Sequence, residues 1–97
     1  MKKLVRDRIP EIIRQDGGDC ETRIIEGLEY KEALKDKLCE EILEFLRDNS
    51  IEEMADVLEV LDAFIEFNGW TKEEVLEFKD KKQKKKGGFK KRIFIEK

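Results

Sequence analysis

Histidine is absent from this 97-residue chain, and cysteine occurs only twice. Without histidine there is no Ser-His-Asp or Cys-His nucleophile system and no His-ligated zinc. Cys20 and Cys39 stand 19 residues apart with no CxxC pattern, so neither a redox motif nor a zinc knuckle is indicated. Isolated cysteines of this kind suit a reducing compartment, where free thiols are expected. Long apolar runs are missing too. No stretch approaches the ~18–20 apolar residues that a membrane span requires, so no membrane partner is expected. The opening Met1-Lys2-Lys3-Leu4-Val5-Arg6-Asp7 has no apolar core of a secretory signal, and a cytoplasmic location is the expectation.

Charge is what the chain has in abundance. Charged residues make up 46% and hydrophobic ones 39%, yet the formal net charge is only −3. That balance fits neither a protein that coats nucleic acid nor an acidic disordered tail. Residues 1–97 are expected to form one small domain, with a spare helical core or a core shared in an oligomer. The charge is unevenly spread. Residues 79–97 hold ten basic and two acidic side chains, net +8, whereas residues 1–78 hold eleven basic and twenty-two acidic, net −11. On composition alone, an acidic bundle ending in a solvated lysine-rich helix is the simpler reading. An acidic site served by basic groups, as phosphate chemistry with a metal requires, is the sharper one.

Glycines mark the joints at Gly17-Gly18, Gly27, Gly69 and Gly87-Gly88. Pro10 suits the first turn of a short helix through Gln15. From Tyr30 to about Arg47, Tyr30, Leu34, Leu38, Ile42 and Leu46 recur every four residues, with Phe45 alongside, the spacing of an amphipathic helix. Ser50 with Glu53 reads as a capping box for a second long helix, whose apolar stripe is Met54, Val57, Leu58, Leu61, Phe64 and Ile65. Asn68-Gly69 should end it. Thr71 with Glu74 repeats the capping signal for a third, running to about Lys86. Beyond Gly87-Gly88, the stretch Phe89 to Ile95 contains good strand formers, and a short extended segment is expected there. The fold class is all-α.

Most of the acids must be solvated, so the informative ones are those placed where an acid is costly. On the first long helix Glu41 lies at the edge of the apolar arc, and Glu44, three residues on, projects from the same side. On the second, Glu53 falls inside the apolar stripe, between the bearings of Val60 and Phe64, and Asp56 lies just beyond Phe67. A buried carboxylate needs a proton, a counter-ion or a metal. Only eight residues, Phe45 to Glu52, separate Glu44 from Glu53, which predicts an antiparallel hairpin bringing both acidic pairs to one end. Four carboxylates from two helices would make an all-oxygen site for Mg²⁺, with Mn²⁺ as the other fit. The plain alternatives are that Glu53 caps Ser50, and that Glu40, Glu41 and Glu44 pair with lysines on a wet face.

These residues carry a resemblance. Glu40-Glu41-x-x-Glu44 followed by Glu52-Glu53-x-x-Asp56 resembles the paired acidic motif of the MazG-type, all-α nucleotide pyrophosphohydrolases. The opening Lys3-Leu4-Val5-Arg6-Asp7-Arg8-Ile9-Pro10 and the closing Lys86-Gly87-Gly88-Phe89 are similar to its compact phosphoribosyl-ATP pyrophosphohydrolase-like branch. The resemblance implies a helical bundle that forms a homodimer or homotetramer. It also implies Mg²⁺-dependent cleavage between the α- and β-phosphates of a nucleotide, giving a monophosphate and pyrophosphate. By the same resemblance Glu41, Glu44, Glu53 and Asp56 are the metal ligands. The link between the acidic pairs is shorter than in better-known MazG proteins, which affects the substrate pocket.

From the chemistry, Glu41 or Glu44 is the candidate to accept a proton from the attacking water. Arg6, Lys82, Lys85 and Lys86 are the candidates to meet substrate phosphates. Two other functions compete: a non-catalytic metal-binding helical module that oligomerises, and a nucleic-acid binder using Lys79 to Arg92. The second is disfavoured, because that stretch has almost no interleaved aromatics and no nucleic-acid motif.

Overall fold

The computed structural model describes residues 2–97, and among them every regular element is a helix. In chain order these are α1 (Ile9–Gln15), α2 (Gly27–Asp48), α3 (Ile51–Phe67) and α4 (Lys72–Lys86). The chain clusters into two compact units, one up to Phe64 and one from Ile65 to Lys97.

The first unit is organised by helix ends that the local sequence dictates. Pro10 stands in the first turn of α1, where a missing N–H costs nothing. The helix stops at Gly17, whose φ of 87° suits glycine. There the N–H of Gly17 donates to Arg14 C=O and that of Gly18 to Ile13 C=O, the paired closure of a Schellman motif. α2 ends at Asn49, a residue tolerant of the left-handed region it occupies (φ 48°, ψ 48°). Only Asn49 and Ser50 connect α2 to α3, so the chain folds back into an αα-hairpin. Ser50 Oγ then accepts the N–H of Glu53 at 3.2 Å and starts α3. The segment before α1 is tied to the hairpin by Arg6, which donates to Asp56 at 2.7 Å, and by Lys3, which donates to Glu40 at 3.4 Å.

The core of this unit is thin. Among the described residues only Leu34, Val60 and Glu41 are buried, with Leu34 the most enclosed at 2% exposure. Leu34, Leu38 and Phe45 do face inward from α2, but Ile42 and Leu46, assigned to the same arc, are exposed, Leu46 at 68%. On α3 the inward face runs through Glu53, Asp56, Val57, Val60 and Phe64. Met54, Leu58 and Leu61, read as part of its buried stripe, are exposed. A helix with an apolar arc wider than its neighbour can cover presents the remainder to solvent.

The second unit contains the end of α3 and all of α4. Gly69 (φ 74°) closes α3: its N–H donates to Glu66 C=O, and Trp70 N–H donates to Ile65 C=O, another Schellman motif. At the start of α4 the capping box is complete. Thr71 Oγ1 accepts the Glu74 N–H at 3.1 Å, and Glu74 Oε1 accepts the Thr71 N–H at 3.0 Å. α4 has no buried residue. Its charges pair locally, Lys81 with Glu77 at 3.4 Å and Lys84 with Asp80 at 3.1 Å, while Lys81 sits 5.5 Å from the Phe78 ring centre. Lys84, Lys85 and Lys86 fill the last turn, where the helix dipole favours cations. The stretch after Gly88 is not a strand. The N–H of Arg92 donates to Phe89 C=O at 3.1 Å, turning the chain at the point where an extended segment was expected. No neighbouring strand among the described residues is there to accept a ladder.

Candidate metal centre

Three of the four acids read from the sequence meet, one from the first pair and both from the second. A carboxylate oxygen from each of Glu41, Glu53 and Asp56 lies within 4.8 Å of the others. Glu41 comes from the C-terminal half of α2, two turns before its end, Glu53 and Asp56 from the first two turns of α3, and the two-residue connection brings them to the same end of the hairpin. Glu41 is 7% exposed, and Glu53 and Asp56 are half-buried.

Two oxygens in this cluster stand out. Glu41 Oε2 and Glu53 Oε2 are enclosed and have no hydrogen-bond partner. Buried polar atoms without partners are uncommon and costly, so each needs an explanation. The remaining oxygens are partly answered. Asp56 Oδ1 accepts from Arg6 at 2.7 Å, and Glu41 Oε1 pairs with Lys37 Nζ at 3.2 Å. Lys37 also reaches Glu40 at 3.5 Å.

The electrostatics follow from this crowding. Burial foremost pushes the Glu41 carboxyl above its ordinary pKa; Lys37 opposes the shift, and the charges of Glu44 and Asp56 reinforce it. Glu53 is raised in the same direction, by burial first and then by the charges of Glu44, Asp48, Asp56 and Glu41. Negative charge is thus concentrated on two helices with incomplete compensation. A proton or a divalent cation would relieve this imbalance, and the hard carboxylate oxygens of the set are of the kind that could hold Mg²⁺ or Mn²⁺.

Glu44 is half-buried and close enough for its charge to act on both Glu41 and Glu53, but it stands outside the set of three. Beside the cluster lies a groove of about 220 Å³, lined by Lys3, Val5, Arg6 and Ile9 before and at the start of α1, and by Lys37, Glu41 and Asp56 of the hairpin. Of the four cations expected to meet substrate, Arg6 belongs to this lining. Lys82, Lys85 and Lys86 are exposed on α4, in the second unit. Two lining cations, Lys3 and Lys37, were not singled out by sequence reasoning. Their signals are faint: Lys37 precedes Glu41 by one helical turn, a spacing usual on wet helix faces, and Lys3 lies outside any helix.

No helix among the described residues is long and apolar enough to cross a membrane. Compared with protein-family models, with curated proteins and with solved structures, the chain gives no match, so its functional reading stands on the residues and geometry above.

Proposed function

We propose that the hairpin is a Mg²⁺ or Mn²⁺ centre and that the protein is a nucleotide pyrophosphohydrolase of MazG-like fold, in the compact phosphoribosyl-ATP pyrophosphohydrolase-like branch. Its reaction is hydrolysis of a nucleoside triphosphate, or a phosphoribosyl-ATP-like nucleotide, to the monophosphate and pyrophosphate. The observation that carries this reading is the convergence of Glu41, Glu53 and Asp56 with two enclosed, unpartnered oxygens. A protein that used these acids only for surface pairing would have left both oxygens wet or bonded.

Glu41, Glu53 and Asp56 would hold the cation, with Glu44 as the fourth acid of the set. A bound divalent ion in such a site supplies Lewis acidity toward phosphate oxygens and lowers the pKa of water. The chain's own part is to place and discharge. Glu41 or Glu44 accepts the proton of the attacking water, whose oxygen bonds to the α-phosphorus as the bond to the pyrophosphate leaving group breaks. Arg6, which lines the groove beside the acids, meets the negative charge of the phosphates. Homo-oligomerisation, as a dimer or tetramer, is supported by the exposed apolar residues on both hairpin helices, among them Leu43, Leu46, Ile51 and Leu58.

The test is a pyrophosphate-release assay over a panel of canonical and damaged nucleoside triphosphates, with Mg²⁺ or with chelator. Wild type is expected to turn over at least one nucleotide only with metal, and E53Q/D56N to lose that turnover. Absence of turnover on every nucleotide, together with absence of metal binding, would make the acids structural.

A further inference from the structure

The cations of the groove are not spread evenly over its walls. Two of the three are seated on the very carboxylates that would hold the metal: Arg6 on Asp56 at 2.7 Å and Lys37 on Glu41 at 3.2 Å. Lys3, the third, is held by Glu40 at 3.4 Å, and Glu40 also contacts Lys37. Glu53, the third member of the triad, does not line the groove. The groove wall therefore carries three cations and two acids, and both acids are committed to those cations.

Each lining carboxylate can answer a divalent ion or its present partner, but a bound ion weakens the hold of the partner by direct charge repulsion. Arg6 has a side chain that is half exposed and can swing without disturbing the hairpin; the Lys37 side chain is only 16% exposed, but its unbranched stem lets the ammonium group reach from Glu41 into the groove that it lines. Released cations in a partly enclosed groove are themselves uncompensated, and an anion is what satisfies them. Guanidinium and ammonium groups converging from the N-terminal segment and α2 match phosphoryl oxygens, the first as a planar fork and the second as a point charge.

We propose that Arg6 and Lys37 are exchangeable counter-ions. A divalent cation taken up by Glu41, Glu53 and Asp56 displaces them into the groove, where with Lys3 they bind a phosphoryl or pyrophosphoryl group. Metal and anion then bind with positive coupling, each raising the affinity for the other by the same factor. Arg6 thereby acts twice, as stand-in for the cation and as ligand of the phosphate. The inference rests on the metal-centre reading but adds to it the anion subsite, two residues that serve it, and the order imposed by their exchange.

Neutralising the two acids should free the cations without any metal, which separates the inference from the reading it rests on. In chelator-containing buffer, calorimetric titration with inorganic pyrophosphate should show E41Q/D56N binding at least about tenfold more tightly than wild type. Adding R6Q and K37Q to that variant should cancel the gain. Circular dichroism melts establish that each variant is folded. A second measurement needs only one conservative change: Mn²⁺ titration followed by electron paramagnetic resonance should show R6Q binding the ion several-fold more tightly than wild type, because its competitor is gone. Equal pyrophosphate affinity of wild type and E41Q/D56N, or a gain that survives R6Q/K37Q, overturns the exchange while leaving a metal centre in place. Unchanged or weaker Mn²⁺ binding by R6Q does the same. Failure of both wild type and R6Q to bind Mn²⁺ overturns the metal centre and the exchange together.

Discussion

Ser50-Ile51-Glu52-Glu53 and Thr71-Lys72-Glu73-Glu74 are nearly the same string, and each starts a helix. In both, the hydroxyl accepts the N–H of the third residue on, at 3.2 Å and 3.1 Å. The glutamates then diverge. Glu74 turns back to its own cap, its carboxylate taking the Thr71 N–H in an exposed position. Glu53 lies against α2 with an enclosed Oε2 that has no partner, among the charges of Glu41, Glu44 and Asp56. One motif yields an ordinary cap where the helix stands in water, and a strained acid where a second helix covers it. Local sequence sets the helix start, and the neighbouring helix decides what the glutamate is for.

The same contrast holds between the two units. In the second, charges answer one another a helical turn apart in water, where each pair contributes only a few tenths of a kcal/mol. In the first, three carboxylates share one end of a hairpin whose core is little more than Leu34 and Val60. A chain with so few buried apolar residues that encloses an acid among them is giving up stability at that point, as functional sites commonly do.

The strongest way to break the contrast is to neutralise the enclosed set. E53Q/D56N should reduce Mg²⁺-dependent pyrophosphate release by a factor on the order of 10²–10³, whereas E74Q should leave it within about twofold, since only the first alters electrostatic stabilisation of the reacting phosphate. Next in size, Leu34→Ala should cost about 3 kcal/mol in a denaturant melt, because it opens a cavity in a core with few other members. Thr71→Ala should cost about 1 kcal/mol and by the same amount with Mg²⁺ or chelator, as for a helix cap whose hydroxyl only accepts a backbone N–H. Smallest of all, Lys84→Gln, which removes an exposed pair with Asp80, should shift stability by no more than about 0.5 kcal/mol.

The pattern of these effects matches what could be read in the sequence. Helix positions and ends were legible to within a few residues, because Pro10, Asn49, Gly69 and the Thr71–Glu74 box act through backbone bonds only a few residues long. Glu41, Glu53 and Asp56 were legible for a related reason: helical spacing put them against apolar neighbours, and a short connection left one way to fold back. Which apolar residues turn inward was legible only in part: Leu34, Leu38, Phe45, Val57 and Phe64 do, whereas Ile42, Leu46, Met54, Leu58 and Leu61 are exposed. Met54 and Val57 belong to the same apolar stripe, yet Val57 is half-buried and Met54 exposed, because a stripe wider than its neighbour can cover leaves its edge in solvent. Lys37 and Lys3 escaped because a lysine near a glutamate reads the same in a sequence whether the pair stands in water or over a cluster of acids. The turn at Phe89–Arg92 escaped because Ile93, Phe94 and Ile95 favour strands only where a partner strand exists.

The most direct measurement is the melting temperature of wild type and E53Q across pH, with Mg²⁺ and with chelator. Glu53 has a raised pKa in the folded protein, so the folded state binds the proton more readily than the unfolded one. Stability linked to Glu53 is therefore greatest at pH values below the ordinary carboxylate range and falls as pH rises through that range toward the raised value. E53Q removes that loss. In chelator at pH 7 the variant should melt above wild type, and the difference should shrink to nothing near pH 3, where both side chains are neutral. Mg²⁺ should raise the wild-type melting temperature and leave E53Q unmoved. A variant that melts below wild type at pH 7 in both buffers, by equal amounts, would make Glu53 a cap like Glu74 and would remove the metal centre from the hairpin.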